Sequence, residues 1–314
     1  MEIAPSRPIA RDIQQNLARV IRGKNDAIRK AIICLLCEGH LLIDDIPGVG
    51  KTSLALALAK SLDLSFQRIQ FTSDLFPADI LGVSIYNPKT GEFDFKTGPI
   101  FHNVILADEI NRSTPKSQSA LLEVMNERQI TIDNRTRPIP RPFFVIATQN
   151  PFEHYGTYPL PESQKDRFLM RVSMGYPEPK DEKEILRENI GLHSVQELKC
   201  VAQKEQVLNM ISEVKTISVT ELIDDYILKI VGETRRSPFL ELGASPRGAL
   251  SLRAASQANA YMEGRNFVIP DDVKFSALPV LAHRVILKSV NSDSELKQSE
   301  IVIQEILDRT TVPI

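Results

Sequence analysis

Apolar residues recur at helical spacing at Ile9, Ile13, Leu17 and Val20, and again after Gly23 at Ala27, Ile28, Ala31, Ile32, Leu35 and Leu36. That period predicts two helices ahead of the first strand. The pattern then changes, because residues 41–43 are apolar without a break, as a strand covered on both faces should be. A glycine-containing loop follows, and Leu54, Ala55, Leu58 and Leu62 then mark the inward face of a helix. Residues 65–71 read as a second strand and 77–82 as a short helical turn. Val83, Ile85 and Tyr86, the turn-forming run Asn87-Pro88-Lys89-Thr90-Gly91, then Phe93 and Phe95 form an inserted hairpin. Two more apolar strands are expected at 104–107 and 143–147, with a helix from Pro115 to Glu127 and a hairpin-like segment at 129–142 between them. Residues 160–168 read as a short helix and 169–172 as the last strand.

At Tyr176-Pro177-Glu178-Pro179 prolines break the chain and strand patterns stop. Helices are expected at 181–190, 206–214, 221–235, 246–263 and 271–281. Thr220 and Ser245 stand where N-caps belong, and Pro246 and Pro270 stand at first-turn positions. A polar stretch at 289–295 leads to a last amphipathic segment around 301–307. This divides the chain into a mixed α/β unit at 1–176 and a helical unit at 177–314.

Composition narrows the picture by exclusion. With 314 residues, 42% of them hydrophobic, the chain has enough apolar material for two cores. Its 38 basic and 40 acidic residues leave a formal charge of −2, which offers no overall field for nucleic acid or a membrane surface. The longest apolar runs, 31–36 and 104–107, are far short of a membrane span, and no basic-then-apolar leader opens the chain. A soluble, cytoplasmic protein is expected. Cys34 and Cys37 lie inside a helical apolar pattern, so burial is their expected role, and His40, His102, His154, His193 and His283 lack metal-ligand spacing.

The chemistry is carried by strand ends. Asp44-Asp45-Ile46-Pro47-Gly48-Val49-Gly50-Lys51-Thr52-Ser53 follows the first strand and ends in the G-K-[ST] of a phosphate-binding loop. In such a loop backbone N–H groups and a helix N-terminus hold phosphate oxygens, a lysine neutralises them and a hydroxyl meets Mg²⁺. Asp45 departs from the pattern by standing where its first glycine would be. Its carboxylate is expected to turn away from the phosphates, toward a basic or N–H partner. The strand at 104–107 runs into Asp108-Glu109, an acid for the Mg²⁺ shell followed by one able to polarise water. The strand at 143–147 runs into Thr148-Gln149-Asn150, whose final amide can orient that water.

Ala107-Asp108-Glu109-Ile110-Asn111-Arg112, Gln118-Ser119-Ala120-Leu121-Leu122-Glu123, Ala147-Thr148-Gln149-Asn150-Pro151 and Gly156-Thr157-Tyr158-Pro159-Leu160-Pro161-Glu162 together resemble the MoxR family of AAA+ ATPases, from about residue 21 to residue 283. The resemblance implies an α/β fold: an ASCE-type P-loop core of three αβα layers around a parallel sheet, with a C-terminal all-helical lid. It also implies an ATP hydrolase that binds ATP/ADP and Mg²⁺. Lys51 and Thr52 look like the Walker A pair, with Pro47, Gly48, Val49, Gly50 and Ser53 around the phosphates. Asp108 looks like the Mg²⁺-shell acid beside Thr52, Glu109 the base and Asn150 sensor 1. Asp166-Arg167-Phe168 is similar to the segment supplying an arginine finger, and Gly243-Ala244-Ser245-Pro246-Arg247 to the lid segment whose arginine senses the nucleotide. Val20, Ile21 and Gly23 fall on the stretch lining the adenine pocket. A homo-oligomeric ring, a hexamer, is implied, acting as a chaperone on a client protein with a von Willebrand factor A domain protein as adaptor. Arg112 could be intersubunit, sensing or structural.

Two other readings stay open at this level. A DNA-acting motor would draw on Arg135, Arg137 and Arg141 in the second hairpin, although prolines rather than aromatics interleave them, so nucleic acid is the less favoured partner. A nucleotide-gated scaffold would bind ATP with negligible turnover.

Overall fold

The structure is a computed structural model that describes residues 6–151, 156–188, 195–288 and 295–313. Helices α1 (Ser6–Ala18) and α2 (Asn25–Leu36) precede β1 (Leu41–Asp44), and the glycine loop leads into α3 (Lys51–Ser61). After β2 (Phe66–Gln70) come α4 (Pro77–Leu81) and the hairpin β3 (Gly82–Asn87) and β4 (Glu92–Thr97). β5 (Val104–Asp108) is followed by α5 (Pro115–Glu127), the hairpin β6 (Gln129–Ile132) and β7 (Arg135–Pro138), then β8 (Phe144–Gln149). α6 (Glu162–Lys165) and β9 (Met170–Val172) complete the α/β part.

The principal sheet has five strands in the order β2-β5-β8-β1-β9, every pair parallel. β1 and β5 are buried at every position because helices cover both faces, which is why they read as unbroken apolar runs. The register aligns Asp44 with Gln149 and Gln70 with Asp108, so the ends of β1, β2, β5 and β8 meet at one edge. That edge is where parallel α/β sheets bind ligands.

A first apolar cluster joins α1, α2 and α3 to one sheet face and continues without interruption into the lid. A second, built by α5, the hairpins and the opposite face, includes Leu42, Ile105, Leu121, Val145 and Phe168. The C-terminal helical part, which contains the lid, includes among the described residues α7 (Pro179–Glu188), α8 (Lys204–Val214), α9 (Glu221–Arg236), α10 (Pro246–Met262), α11 (Pro270–Leu281) and α12 (Glu295–Arg309). It docks on α1, α2 and β9.

Several expectations are refined. Among the described residues of the lid the helices are joined by a short antiparallel ribbon, β10 (Leu240–Leu242) with β11 (Ile286–Leu287), too brief to show a period of two. Within 160–168 only Glu162–Lys165 is helical, with Pro161 at its N-cap and Asp166 at its C-cap. Ser245 caps α10 through its Oγ and the Gly248 N–H, whereas Thr220 holds the N-cap position of α9 without a side-chain bond. The end of the helix expected at 181–190, the polar stretch at 289–294, and His154 and His193 lie outside the described residues.

Candidate active site

The loop between β1 and α3 is shaped by two left-handed glycines, Gly48 (φ +86°) and Gly50 (φ +93°). A side chain at either would be strained, and no atom lies within 4 Å of where its Cβ would stand. The backbone there faces open space. No side chain caps α3, whose first turn begins at Lys51 with the positive end of the helix dipole toward the loop. This open cradle fits a phosphate chain. Pro47 is exposed, Val49 half-buried, and Lys51, Thr52 and Ser53 half-buried on the first turn. The Lys51 ammonium donates to the Asp45 carbonyl at 2.8 Å, which folds the side chain back along the loop.

Asp45 behaves as its position suggested. Its Oδ2 accepts from the N–H groups of Met174 (2.5 Å) and Gly175 (2.6 Å) and from Ser173 Oγ (3.2 Å), and its Oδ1 from Ile46 N–H (2.9 Å). The acid therefore ties the loop's entry to the chain leaving β9. The turn between α1 and α2 closes on the same segment. Lys24 Nζ donates to Tyr176 O at 2.7 Å, and Gly23 packs so tightly on Asp181 that a Cβ would collide with its carboxylate. Val20 and Ile21 beside this turn are buried.

At the neighbouring strand ends, Asp108 Oδ1 accepts from Thr148 Oγ1 at 2.6 Å, and its Oδ2 accepts from Arg68 through Nε (3.1 Å) and Nη2 (2.6 Å). A cation thus already pairs with this carboxylate, and one acid, a hydroxyl at Thr52 and water suit a hard cation such as Mg²⁺. Glu109 follows in the left-handed conformation (φ +56°), its N–H donating to Thr148 Oγ1 at 2.9 Å. Its Oε2 accepts from Gln70 Nε2 (2.8 Å) and from Arg112 Nη1 (2.9 Å). Asn150 is buried one residue past β8, where the Gln149 carbonyl accepts the Asp45 N–H. The fold therefore brings Lys51, Thr52, Asp108, Glu109 and Asn150 to one edge.

Residues 40–170 match the family described as ATPase family associated with various cellular activities (AAA), and residues 232–306 match the AAA lid domain. The chain is 45% identical over 307 residues to YeaC of Bacillus subtilis, covering 98% of this chain and 96% of that one. It is 40% identical to a protein named Chaperone MoxR1 of Mycobacterium tuberculosis, covering 94% of this chain and 80% of the relative. The chain belongs to the MoxR family of AAA+ ATPases. A crystal structure from Cytophaga hutchinsonii, 37% identical, superposes with a TM-score of 0.89 over 98% of this chain and 96% of the other.

In this MoxR-family chain Arg167, expected to serve a neighbouring subunit, and Arg247 both stand away from the loop of their own chain. Arg167 precedes β9 and donates to Leu122 O at 2.7 Å. Arg247, at the start of α10, donates to Asn126 Oδ1 at 3.0 Å and lies 3.9 Å from the Asp166 carboxylate. Next to Asn126, Met125 O is bound by His40, the residue before β1, so this is the edge at which the strands begin. Strands of this length separate the two edges by roughly 13–20 Å. The lid docks against α1, α2 and β9, and Arg247 stands at this strand-start edge with Asn126.

A buried lid cation fixes that arrangement. Arg284 donates to Asp166 Oδ1 (2.7 Å) and to the carbonyls of Phe168 (2.6 Å) and Leu169 (3.0 Å), and also bonds Val280 O. Burial pushes its pKa down to about 10 while Asp166 opposes the shift. Beside it His283 binds Phe168 O, and burial lowers its pKa too.

The hairpin arginines are engaged within the protein. Arg137 lies over the Phe95 ring at 3.9 Å, joining the two hairpins, and Arg141 pairs with Glu38. Glu38 also receives Arg128 (3.0 Å) and Lys215 (2.6 Å). Burial works to raise its pKa, but those three cations outweigh it and hold the carboxyl below its ordinary value. Two of the three hairpin arginines thus have partners within the protein.

Arg68, Gln70 and Thr148 were not singled out from sequence. The available signal was polar alternation at 68 and 70 on an otherwise strand-like segment beside the acidic strand, but their partners depend on cross-strand register.

Proposed function

We propose that this MoxR-family protein hydrolyses ATP to ADP and phosphate with Mg²⁺ and, as a hexameric ring, uses the turnover to remodel a partner protein. The observation that carries this reading is the meeting of the open, uncapped phosphate loop with Asp108, Glu109 and Asn150 at one sheet edge. Lys51 and the first-turn N–H groups bind the phosphates, while Val20, Ile21 and Gly23 line the base. Thr52 and Asp108 would hold Mg²⁺, which supplies charge neutralisation on the phosphoryl oxygens. Glu109 takes the proton of the attacking water once Arg112 and Gln70 release its carboxylate, and Asn150 holds that water in line. Arg167 and Arg247 share the opposite edge, so in a ring they face the loop of the adjoining subunit and complete its site. In this reading residues 1–176 form the ATP-binding unit and 177–314 the lid.

The family resemblance and the relative named Chaperone MoxR1 support a chaperone role. A von Willebrand factor A domain protein is the expected adaptor.

The test is a Glu109→Gln substitution with turnover and nucleotide binding measured together. It should retain ATP and lose hydrolysis, and wild-type specific activity should rise steeply with protein concentration. Mixing inactive Glu109→Gln with inactive Arg167→Ala should restore activity, because mixed neighbours rebuild complete sites. Concentration-independent turnover, or no recovery on mixing, would refute the shared site. The Glu109→Gln protein is also the trap with which to capture the adaptor and client.

A further inference from the structure

The edge strand β2 carries a cation that the proposed chemistry does not use. Arg68 holds Asp108 Oδ2 through two nitrogens, at 3.1 and 2.6 Å, while Thr148 holds Oδ1. The register sets Arg68 beside Leu106 and Gln70 beside Asp108, and Leu106 belongs to the cluster that α3 covers. The guanidinium therefore reaches Asp108 on the sheet face where α3 begins with Lys51 and Thr52. Its side chain is 49% exposed against 12% for Asp108, so it approaches from solvent and can withdraw without opening a cavity.

We propose that Arg68 is a built-in counter-ion that competes with the divalent cation for Asp108 and thereby sets how much Mg²⁺ the site requires. The inference rests on Asp108 being the Mg²⁺-shell acid. The two-nitrogen contact orients the carboxylate as well as neutralising it, which a point charge such as lysine does less well. Before the carboxylate can join a metal shell, Arg68 must surrender Oδ2. Gln70 Oε1, 2.6 Å from Arg68 Nη2, gives the guanidinium a partner when it does so. The same Gln70 donates to Glu109, so withdrawal of Arg68 is felt at the base as well.

The test measures metal affinity directly in the intact, ADP-saturated chain, with Mn²⁺ as probe and free Mn²⁺ read by its EPR signal. Arg68→Gln should bind Mn²⁺ roughly three- to tenfold more tightly than wild type, the range expected for removing a half-exposed competing ion pair. Arg68→Lys should fall between them. ADP affinity in EDTA should change by less than about threefold. Unchanged or weaker Mn²⁺ binding in a variant that still binds ADP overturns the inference and leaves the ATP-binding reading intact. A loss of ADP affinity in EDTA without a change in Mn²⁺ affinity overturns it too, because Arg68 would then be a phosphate ligand. Failure of wild type to bind ADP at all overturns both.

Discussion

Replacing Asp45 by glycine restores the usual phosphate-loop pattern and separates two opposite roles for this acid. If the carboxylate faced the phosphates, about 6 Å from a unit charge at an effective dielectric near 20, repulsion would reach about 3 kcal/mol. Removing it would then tighten ATP binding on the order of 100-fold. The structure points the other way, since Asp45 is 6% exposed and its Oδ2 is filled by Met174 N–H, Gly175 N–H and Ser173 Oγ. Hydrogen bonds to a charged acceptor contribute about 1.5–3 kcal/mol each, so loss of the two short backbone bonds should destabilise by about 3–6 kcal/mol. The melting temperature should fall by about 5–9 °C for a chain of this size. ATP affinity should change by less than about threefold, because the loop's glycines and Lys51 are untouched. Asp45→Asn keeps one acceptor oxygen and should recover part of the stability. Thermal melts and titration with a fluorescent ATP analogue read both quantities. A variant of unchanged stability that binds ATP tens of times more tightly would refute this account.

Buried His40 receives the Val145 N–H at Nδ1 and bonds Met125 O through Nε2, and burial pushes its pKa down to about 4. The unfolded chain protonates this residue near 6.5, so stability present above that pH is lost as pH falls toward 4, by about 3 kcal/mol. Urea unfolding between pH 7 and 4.5 should show a steeper decline for wild type than for His40→Gln, and parallel profiles would contradict the neutral, buried assignment. Arg284→Met should destabilise by about 3–5 kcal/mol, since it leaves Asp166 and several buried carbonyls without their donor. A denaturation midpoint within error of wild type would show that the guanidinium contributes no more than a surface pair.

Contiguous residues were enough to identify the core strands and the phosphate loop. Unbroken apolar runs at 41–43, 104–107 and 143–147 forecast strands buried on both faces, and each chemistry-bearing residue sits within a few positions of such a run. The extra hairpins were legible as well, because alternation and turn residues are local signals. Even the orientation of Asp45 followed from its place at a strand exit, although its partners, 128–130 residues away, did not.

Long-range packing decided the rest. Arg68 and Gln70 meet the acids only because β2 pairs with β5 in one particular register. Arg247 has a recognisable neighbourhood in sequence, yet its side chain lies at the strand-start edge because the lid shares an apolar core with α1, α2 and β9. Arg284 carries no motif, and only tertiary contact reveals that it clamps the backbone on either side of Arg167. The sequence by itself determined the ATPase-type core and which polar residues stand at its strand ends, because those depend on backbone geometry within a few residues. Which cation holds Asp108 and which edge receives the two outlying arginines depend on cross-strand register and on the area buried between distant helices, and the folded chain alone decides them.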